Sequence, residues 1–165
     1  MKKIQVMSEK MAELYSYKNN IPKSLIVSIR CPEEDRPKFN KTIEENNENS
    51  QIYKIFEMQF NDLETNLETN LETDQGILKA PTLNDFKGLK QFIDDNITAV
   101  EQIVVHCGAG VSRSAGCALA IAEYLNIDNN IRTSNKYVPN MWVYKLTKQE
   151  LGIDKNKEYY ENIFR

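Results

Sequence analysis

The stretch HCGAGVSRS at positions 106–114 carries the strongest indication of both fold and chemistry. It follows the uncharged, β-branched run QIVV at 102–105, a composition typical of a buried parallel strand. Small and apolar residues then dominate positions 114–125 and favour a packed helix. A strand, a tight loop and a helix are therefore predicted in succession. Gly108 and Gly110 give the loop the backbone freedom or the clearance that bending around an anion requires.

The predicted loop has the features of an anion site. A helix start offers unpaired N–H groups and a positive dipole end, so we expect the loop to hold a tetrahedral oxyanion. The phosphate-binding residues are predicted to be Gly108, Ala109, Gly110, Val111, Ser112 and Arg113. Arg113 contributes a planar fork that can bind two oxygens at once. Cys107 faces the same positive field, which favours thiolate over thiol. The loop therefore predicts a nucleophile beneath a bound phosphate.

The spacing between Cys107 and Arg113 is a weak pattern alone, but its context is specific. A buried strand and His106 precede the pair, two glycines lie inside it, and Ser114 and a helix follow. The stretch resembles the HCxxGxxR(S/T) signature of the protein tyrosine and dual-specificity phosphatases. This resemblance implies that Cys107 attacks phosphorus, that Arg113 binds the phosphoryl oxygens and that Ser114 assists the departing thiolate. It also implies that His106 orients the loop and helps to keep the thiol ionised.

Structural alternatives exist for each of these residues. A cysteine at a strand end is usually a small buried hydrophobe, and Ser114 can simply cap the helix. His106 is the only histidine, so no histidine-paired triad and no histidine-rich metal site is available. A core histidine with satisfied hydrogen bonds is compatible with the functional interpretation. We expect neither a metal nor another cofactor.

Composition predicts one domain over residues 1–165. The chain has 165 residues of which 41% are hydrophobic, enough for a real core. Its 21 basic and 24 acidic residues give a net charge of −3, which disfavours nucleic acid and anionic membranes as partners. No apolar run approaches the length of a membrane span or of a signal-peptide core. Three cysteines without metal-ligand spacing argue against a disulfide framework, so a reducing cytoplasm is expected.

The pattern of elements predicts an α/β fold with a central, mostly parallel sheet flanked by helices. Positions 3–7 predict an edge strand, and Ser8 is expected to cap a helix that runs to about position 17. The residues of this helix that we expect to face inward are Met11, Leu14 and Tyr15. Positions 24–29 predict a buried strand and positions 51–60 a second one. One side of the second strand is predicted to carry Ile52, Phe56, Met58 and Phe60.

Arg30 and Cys31 follow the strand at 24–29. Because ligands gather beyond the carboxyl ends of parallel strands, these residues are placed near Cys107. Cys31 is either an ordinary strand-end thiol or a partner that resolves an oxidised Cys107 by forming a disulfide. The sequence leaves both interpretations open.

The polar segment at 33–50 predicts an exposed loop, and a tetrapeptide repeat occupies positions 62–73. The leucines of the repeat, spaced four residues apart, fit either a short helix or a low-complexity insertion. Asp62 begins the repeat directly after a predicted strand. The phosphatase resemblance implies that Asp62 is the general acid, displaced upstream of Cys107 by the repeat, with Asp74 as the alternative. For either residue an exposed loop carboxylate is the structural alternative.

The second half of the chain carries clear helix boundaries. Thr82 and Asp85 predict a capped helix whose buried face comprises Leu83, Phe86, Leu89 and Ile93. Asn140 is expected to cap a helix that ends near Gly152. Positions 154–164 predict a last amphipathic helix, and Cys117 is expected to be a structural thiol. The resemblance to compact bacterial and phage phosphatase-like proteins spans roughly positions 25–151.

The resulting hypothesis is a metal-free cysteine phosphatase that acts on a phosphorylated protein or a small phosphomonoester. The absence of lysine from the loop and the acidic segment 62–74 disfavour phosphoinositide and RNA 5′-phosphate substrates relative to phosphotyrosine. One rival hypothesis is a binding module that recognises phosphate or phosphoproteins without hydrolysis. Another is a thiol redox or arsenate-reducing enzyme. Because a thiolate and a protonated acid must coexist in a phosphatase, we expect a bell-shaped pH profile with its maximum at roughly pH 5–6.5.

Overall fold

Parallel strands form the central sheet of the computed structural model, which describes residues 2–43, 45, 50–64, 71–73 and 76–153. The strands of this sheet are β1 (Lys3–Ser8), β2 (Ser24–Arg30), β3 (Ile52–Gln59) and β6 (Gln102–Cys107). Their order across the sheet is β1-β6-β2-β3, and all three pairings are parallel. The predicted α/β class is confirmed, and β1 lies at an edge as expected. A separate antiparallel hairpin joins β4 (Leu71–Thr73) to β5 (Gly76–Leu78).

Helices cover both faces of the sheet. They are α1 (Glu9–Ser16), α2 (Leu89–Asn96), α3 (Arg113–Tyr124) and α4 (Met141–Leu151), with short 3-10 turns at Leu83–Phe86 and Ile97–Ala99. The larger apolar core joins one face of the sheet to α2, α3 and α4. A smaller core on the other face packs against the side of the molecule that carries α1. Within the described ranges, no helix is both long enough and apolar enough to cross a bilayer.

Side chains alternate between the two faces of the sheet along β6, so His106 and Cys107 at its carboxyl end lie on opposite faces. Ile103, Val105 and Cys107 belong to the larger core, whereas Val104 belongs to the smaller one. His106 follows the parity of Val104 and contacts Phe39 edge to face, with ring centroids 5.3 Å apart. Because both faces are covered, every residue of β6 is buried, as in other parallel sheets. Cys107 therefore points toward the layer of α3.

The expectation that Ile52 shares a side with Phe56, Met58 and Phe60 is wrong. Ile52 packs with Ile26 and Val104 in the smaller core, while the other three contact the larger core. The reason is a shift in register, because Ser24 pairs with Ile52 but Leu25 pairs with Lys54. One extra residue in β3 reverses the facing of every later side chain.

The predicted cap of α1 is confirmed, but its predicted inner face is wrong in part. Ser8 Oγ accepts a hydrogen bond from Met11 N at 3.3 Å. Met11 and Leu14 are 54% and 56% exposed, although Tyr15 packs against the smaller core as expected. The buried positions of α1 are Ala12 and Ser16, whose small side chains let the helix lie close to the sheet.

The cap at Thr82 is confirmed, and so are three of the four predicted buried residues. Thr82 and Asp85 form a capping box, and Phe86, Leu89 and Ile93 are fully buried. Leu83 is 46% exposed, so its prediction as a core residue is wrong. Gly88 has a φ of +89° and separates the 3-10 turn from α2, which breaks the helical phase that placed Leu83 inward.

The excursion that contains the repeat begins and ends at one place. Asn61 N donates to Lys79 O at 2.8 Å, and Lys79 N donates to Asn61 Oδ1 at 2.7 Å. Residues 71–73 of the repeat form β4, so the helix interpretation is wrong there. The rest of the repeat at 65–70, the alternative acid Asp74 and the predicted helix at 154–164 lie outside the described residues. The described part of the segment 33–50 is mostly exposed loop, as predicted.

The boundaries of α4 follow the predicted signals. Asn140 Oδ1 accepts from Val143 N at 2.9 Å, and Gly152 ends the helix in the left-handed conformation with a φ of +71°. The start of α4 lies against α3 at Gly116, where a Cβ atom would be 2.3 Å from Asn140 O. Only glycine permits this approach of the two helices.

Gly116→Ala is expected to lower the free energy of unfolding by roughly 2 kcal/mol or more, because the added methyl group meets a backbone carbonyl rather than a flexible side chain. In an unobstructed helix the same change stabilises by about 1 kcal/mol, so the sign of the effect reports the contact. Urea denaturation followed by circular dichroism measures it. A stabilised Gly116→Ala protein contradicts the packing of α4 on α3.

Candidate active site

The residues of the predicted site gather at the carboxyl ends of the parallel strands, where open α/β sheets bind ligands. Cys107 ends β6, and Arg113 begins α3 only six residues later. The end of β2 brings Arg30 and Cys31 to the same edge, and β3 leads there through Phe60 to Asp62. The predicted succession of strand, loop and helix is confirmed.

The loop at 108–112 is seated on the junction between β1 and α1. Gly110 has a φ of +71°, and a Cβ atom there would lie 2.4 Å from Met7 C and from Ser8 N. Glu9 N also donates to Gly108 O at 3.2 Å. A glycine is thus required at 110 both by conformation and by the approach of another backbone segment. These contacts fix the curvature of the loop between Cys107 and Arg113.

Cys107 is nearly inaccessible, with 2% of its surface exposed. Its Sγ lies 3.1 Å from Ser114 Oγ, which is itself fully buried in the first turn of α3. A hydroxyl donor at this distance can stabilise a thiolate. Ser114 does not cap the helix, since the N-cap position belongs to Ser112.

The guanidinium of Arg113 is held from one side. Its Nη1 donates to Phe60 O at 2.9 Å and to Cys31 Sγ at 3.2 Å. The residue is only 6% exposed, and its buried Nε has no hydrogen-bond partner in the described structure. A buried N–H without an acceptor is costly, and an oxyanion in the loop would supply one. The orientation of Arg113 therefore suits a bound anion.

The first turn of α3 is left uncapped by its own N-cap residue. Ser112 makes no side-chain hydrogen bond to the helix and instead donates from Oγ to Asp62 Oδ1 at 2.9 Å. The N–H groups that a serine N-cap normally satisfies remain available to a ligand. Such N–H groups, together with the dipole of a helix, are suited to binding a tetrahedral anion.

Asp62 is tied to the loop rather than left free in solvent. Its Oδ1 accepts hydrogen bonds from Ser112 Oγ and from Asn140 Nδ2, the latter at 2.8 Å. Asn140 is fully buried, and its backbone N donates to Ser112 O at 3.1 Å. One asparagine thus joins Asp62, the loop that ends at Ser112 and the start of α4.

His106 lies beneath the loop on the opposite face of the sheet from Cys107. Its Nε2 is 2.8 Å from Ser28 Oγ, and its buried Nδ1 has no partner in the described structure. Burial lowers the pKa of His106 to about 4; an interaction with the backbone of Cys107 opposes this shift, and the positive charge of Arg113 adds to it. The ring is therefore neutral at physiological pH and positions the end of β6 without adding charge.

The other two cysteines have different surroundings. Cys31 is half-buried beside Arg113; burial raises its pKa, and the charge of Arg113 opposes that rise. Cys117 is fully buried, and burial raises its pKa to about 12, which fits a structural thiol. The placement of Cys31 near the anion loop agrees with the expectation from the end of β2.

Sequence reasoning missed three contributions to the site. It assigned Asn140 only a capping role, and it gave no partner to His106 and no support to Arg113. Ser28 and Phe60 supply that partner and that support through contacts between distant segments. A polar residue inside the apolar β2 run was the one available signal for Ser28. In the part of the chain that the structure describes, no three His, Cys, Asp or Glu side chains converge as a metal site requires.

The chain is similar to one protein-family model and to several solved structures. The family model for the catalytic domain of dual specificity phosphatases matches residues 3–138. A search of curated proteins gives no significant match. The solved structure of Tk-PTP in its active form superposes with a TM-score of 0.50 at 11% identity, covering 92% of each chain. PTPMT1 gives a TM-score of 0.50 at 15% identity, covering 91% of this chain and 90% of that one. The human tyrosine phosphatase-like serine/threonine/tyrosine-interacting protein gives 0.47 at 18% identity, covering 86% and 78%.

The buried imidazole makes folding sensitive to acid. Because the pKa of His106 falls from 6.5 to about 4 on folding, the unfolded chain binds the extra proton between these values. The corresponding stability is present above pH 6.5 and is lost as the pH falls toward 4, by about 3 kcal/mol. We expect the difference in free energy of unfolding between wild type and His106→Gln to change by this amount between pH 7 and pH 4. Urea titrations at each pH measure it, and a constant difference contradicts the neutral buried ring.

Proposed function

We propose that this chain, which belongs to the dual specificity phosphatase catalytic-domain family, hydrolyses phosphomonoesters through a phosphocysteine intermediate on Cys107. The observation that carries the proposal is the pairing of a buried thiol with an uncapped helix start. Cys107 and the guanidinium of Arg113, with its unsatisfied Nε, lie at the two ends of one loop. The substrate is a phosphorylated protein residue or a small phosphomonoester.

In the first step the thiolate of Cys107 attacks phosphorus, so that an S–P bond forms and the ester P–O bond breaks. Arg113 and the loop N–H groups bind the equatorial oxygens, on which the transition state spreads its negative charge. Asp62 gives a proton to the departing alcohol or phenol oxygen. Two donors occupy Asp62 Oδ1, so the proton is carried by Oδ2.

In the second step water attacks the phosphocysteine. The ionised Asp62 takes a proton from the water as the new P–O bond forms and the S–P bond breaks. Ser114, 3.1 Å from Cys107 Sγ, donates a hydrogen bond to the departing thiolate. His106 acts as a positioning residue, because its bond to Ser28 holds the end of β6 in place. A nucleophile of this kind needs a reducing compartment, so we propose that the enzyme works in the cytoplasm.

Hydrolysis of p-nitrophenyl phosphate in the presence of a chelator tests these roles. Wild type is expected to show a bell-shaped pH profile with its maximum at roughly pH 5–6.5. Cys107→Ser and Arg113→Lys should abolish turnover, because the first removes the nucleophile and the second removes the planar fork. Asp62→Asn should lower kcat by about a hundredfold or more and remove the alkaline limb of the profile.

Other outcomes have definite meanings. A wild-type protein that binds phosphopeptides but releases no phosphate is a binding module instead. Arsenate-dependent oxidation of the thiols without phosphate release indicates a reductase. An Asp62→Asn protein with an unchanged profile excludes Asp62 as the acid.

Asn140 provides an independent test of how the acid is positioned. Asn140→Asp keeps the cap oxygen for Val143 N but places a second carboxylate against Asp62, which disfavours the ionised form of the acid. We expect kcat to fall about tenfold, KM to change little and the alkaline limb to move to higher pH. Asn140→Ser keeps a capping hydroxyl and adds no charge, but it removes the donor to Asp62, so we expect a smaller shift of the limb in the same direction. An unchanged limb in both variants contradicts the contact.

A further inference from the structure

Glu9 brings a carboxylate to the anion loop that the proposed chemistry does not use. It is the first residue of α1, and its backbone N is bonded to Gly108 O. Its Oε2 is buried and has no hydrogen-bond partner in the described structure. Burial raises the pKa of Glu9, as does the negative charge of Glu34, while Arg113 and Arg30 oppose the rise. The carboxyl group therefore lies among charges that do not fully balance it.

Glu34 approaches the same place from the loop that follows β2. Its Oε2 accepts from Cys31 N at 2.8 Å, which fixes the side chain. A carbon atom added to Gly108 would lie 3.9 Å from Glu34 Oε1 and 3.6 Å from Arg113 Nη2. The carboxylate of Glu34 and the guanidinium of Arg113 thus flank one space above the loop, in which a ligand would meet both.

The cations beside these carboxylates are already engaged. Arg30 is 7% exposed and donates to the backbone O of Glu34, and its guanidinium lies against the side-chain amide of Gln59. Arg113 is bound to Phe60 O and is aimed at the anion. Across residues 2–43, 45, 50–64, 71–73 and 76–153, neither Glu9 nor Glu34 forms an ion pair with lysine or arginine. The ion pairs of these ranges go instead to Glu57, Asp85, Asp94 and Glu123.

The opposite side of the site carries the same sign of charge. Asp62 and Glu64 are both exposed, and Glu64 Oε1 accepts from Met141 N at 3.1 Å. A phosphate dianion held by the loop therefore has a carboxylate near each end of the loop, Glu34 beside Gly108 and Asp62 beside Ser112. This repulsion weakens the binding of a phosphoester that carries no positive charge, whereas a cation beside the phosphate offsets the repulsion.

We propose that the carboxylates of Glu9 and Glu34 attract a cationic side chain of the substrate, so that the preferred substrates are phosphorylated protein segments with lysine or arginine within two residues of the phosphorylated residue. This inference rests on the proposed function and adds a substrate class to it. In an extended peptide, side chains two residues apart lie on one side and about 7 Å from each other. That separation suits a phosphate on Arg113 and an ammonium group on Glu34, because Arg113 Nη2 and Glu34 Oε1 both lie within 4 Å of one point beside Gly108.

Three phosphotyrosyl peptides of equal length test the inference, with lysine, glutamine or glutamate at the two positions on each side of the phosphotyrosine. Phosphate release should give kcat/KM values that decrease in the order lysine, glutamine, glutamate. We expect the ratio of kcat/KM between the lysine and the glutamate peptide, called the span below, to be about ten in dilute buffer. The span should shrink toward one at about 1 M salt, where the Debye length is only about 3 Å. Equal kcat/KM values, or a preference for glutamate, overturn the inference.

Substitution of Glu9 and Glu34 tests whether these residues cause the preference for the lysine peptide. Glu9→Gln and Glu34→Gln should each reduce the span about threefold, and the double variant should remove most of it. Glutamine keeps an oxygen that can accept from Cys31 N, so the loop after β2 is preserved. Glu101→Gln is the matched control, because Glu101 is exposed and precedes β6 at the end opposite Cys107. A span that survives in the double variant assigns the preference elsewhere and contradicts the role of these residues.

The same peptides separate this inference from the proposed function. Turnover of p-nitrophenyl phosphate with no span among the peptides refutes the inference and leaves the phosphatase intact. If no substrate is hydrolysed, the proposed function fails, and binding of the labelled peptides to the Cys107→Ser protein by fluorescence polarisation decides the inference. Tighter binding of the lysine peptide supports it, and equal binding of all three peptides refutes it.

Discussion

The backbone contact between Gly110 and the Met7–Ser8 peptide is the constraint on which the rest of the site depends. No other residue fits there, because a Cβ atom would come within 2.4 Å of two backbone atoms. The contact constrains the loop that joins Cys107, at the end of β6, to Arg113, at the start of α3. Edge strand β1 therefore contributes to the site although it supplies no reacting group.

Much of this fold could be predicted because its signals are local. The strand–loop–helix unit, the caps at Ser8, Thr82 and Asn140, and the end of α4 at Gly152 each depend on residues within a few positions of one another. The errors arose where a local irregularity changed the phase of a regular pattern. The extra residue in β3 places Ile52 on the opposite face of the sheet from the one predicted, and the left-handed Gly88 interrupts the helical phase that would have buried Leu83. Periodicity cannot anticipate such breaks, because the sequence around them retains its apolar residues.

The supports of the site could not be predicted, since they join residues far apart in the chain. Asn140 contacts Asp62 across 78 positions, and His106 contacts Ser28 across the same number. Arg113 depends on the carbonyl of Phe60, a group that every residue possesses. The distribution of charge was also hidden, because an overall charge of −3 gives no hint that the carboxylates of Glu9 and Glu34 lie near the guanidinium of Arg113. The side chains proposed to react can thus be identified from the sequence motif, whereas the side chains that orient them can be identified only from the three-dimensional structure.

The paired hydrogen bonds between Asn61 and Lys79 have a consequence for how this protein can change over generations. They close the base of the excursion that contains the tetrapeptide repeat, and Asn140 holds Asp62 from the other side. Adding or deleting one repeat unit after the first alters the free energy of loop closure by only about 0.2 kcal/mol and leaves both anchors in place. Slippage during replication can therefore vary the copy number while the contacts of Asn61 and Asp62 are inherited unchanged.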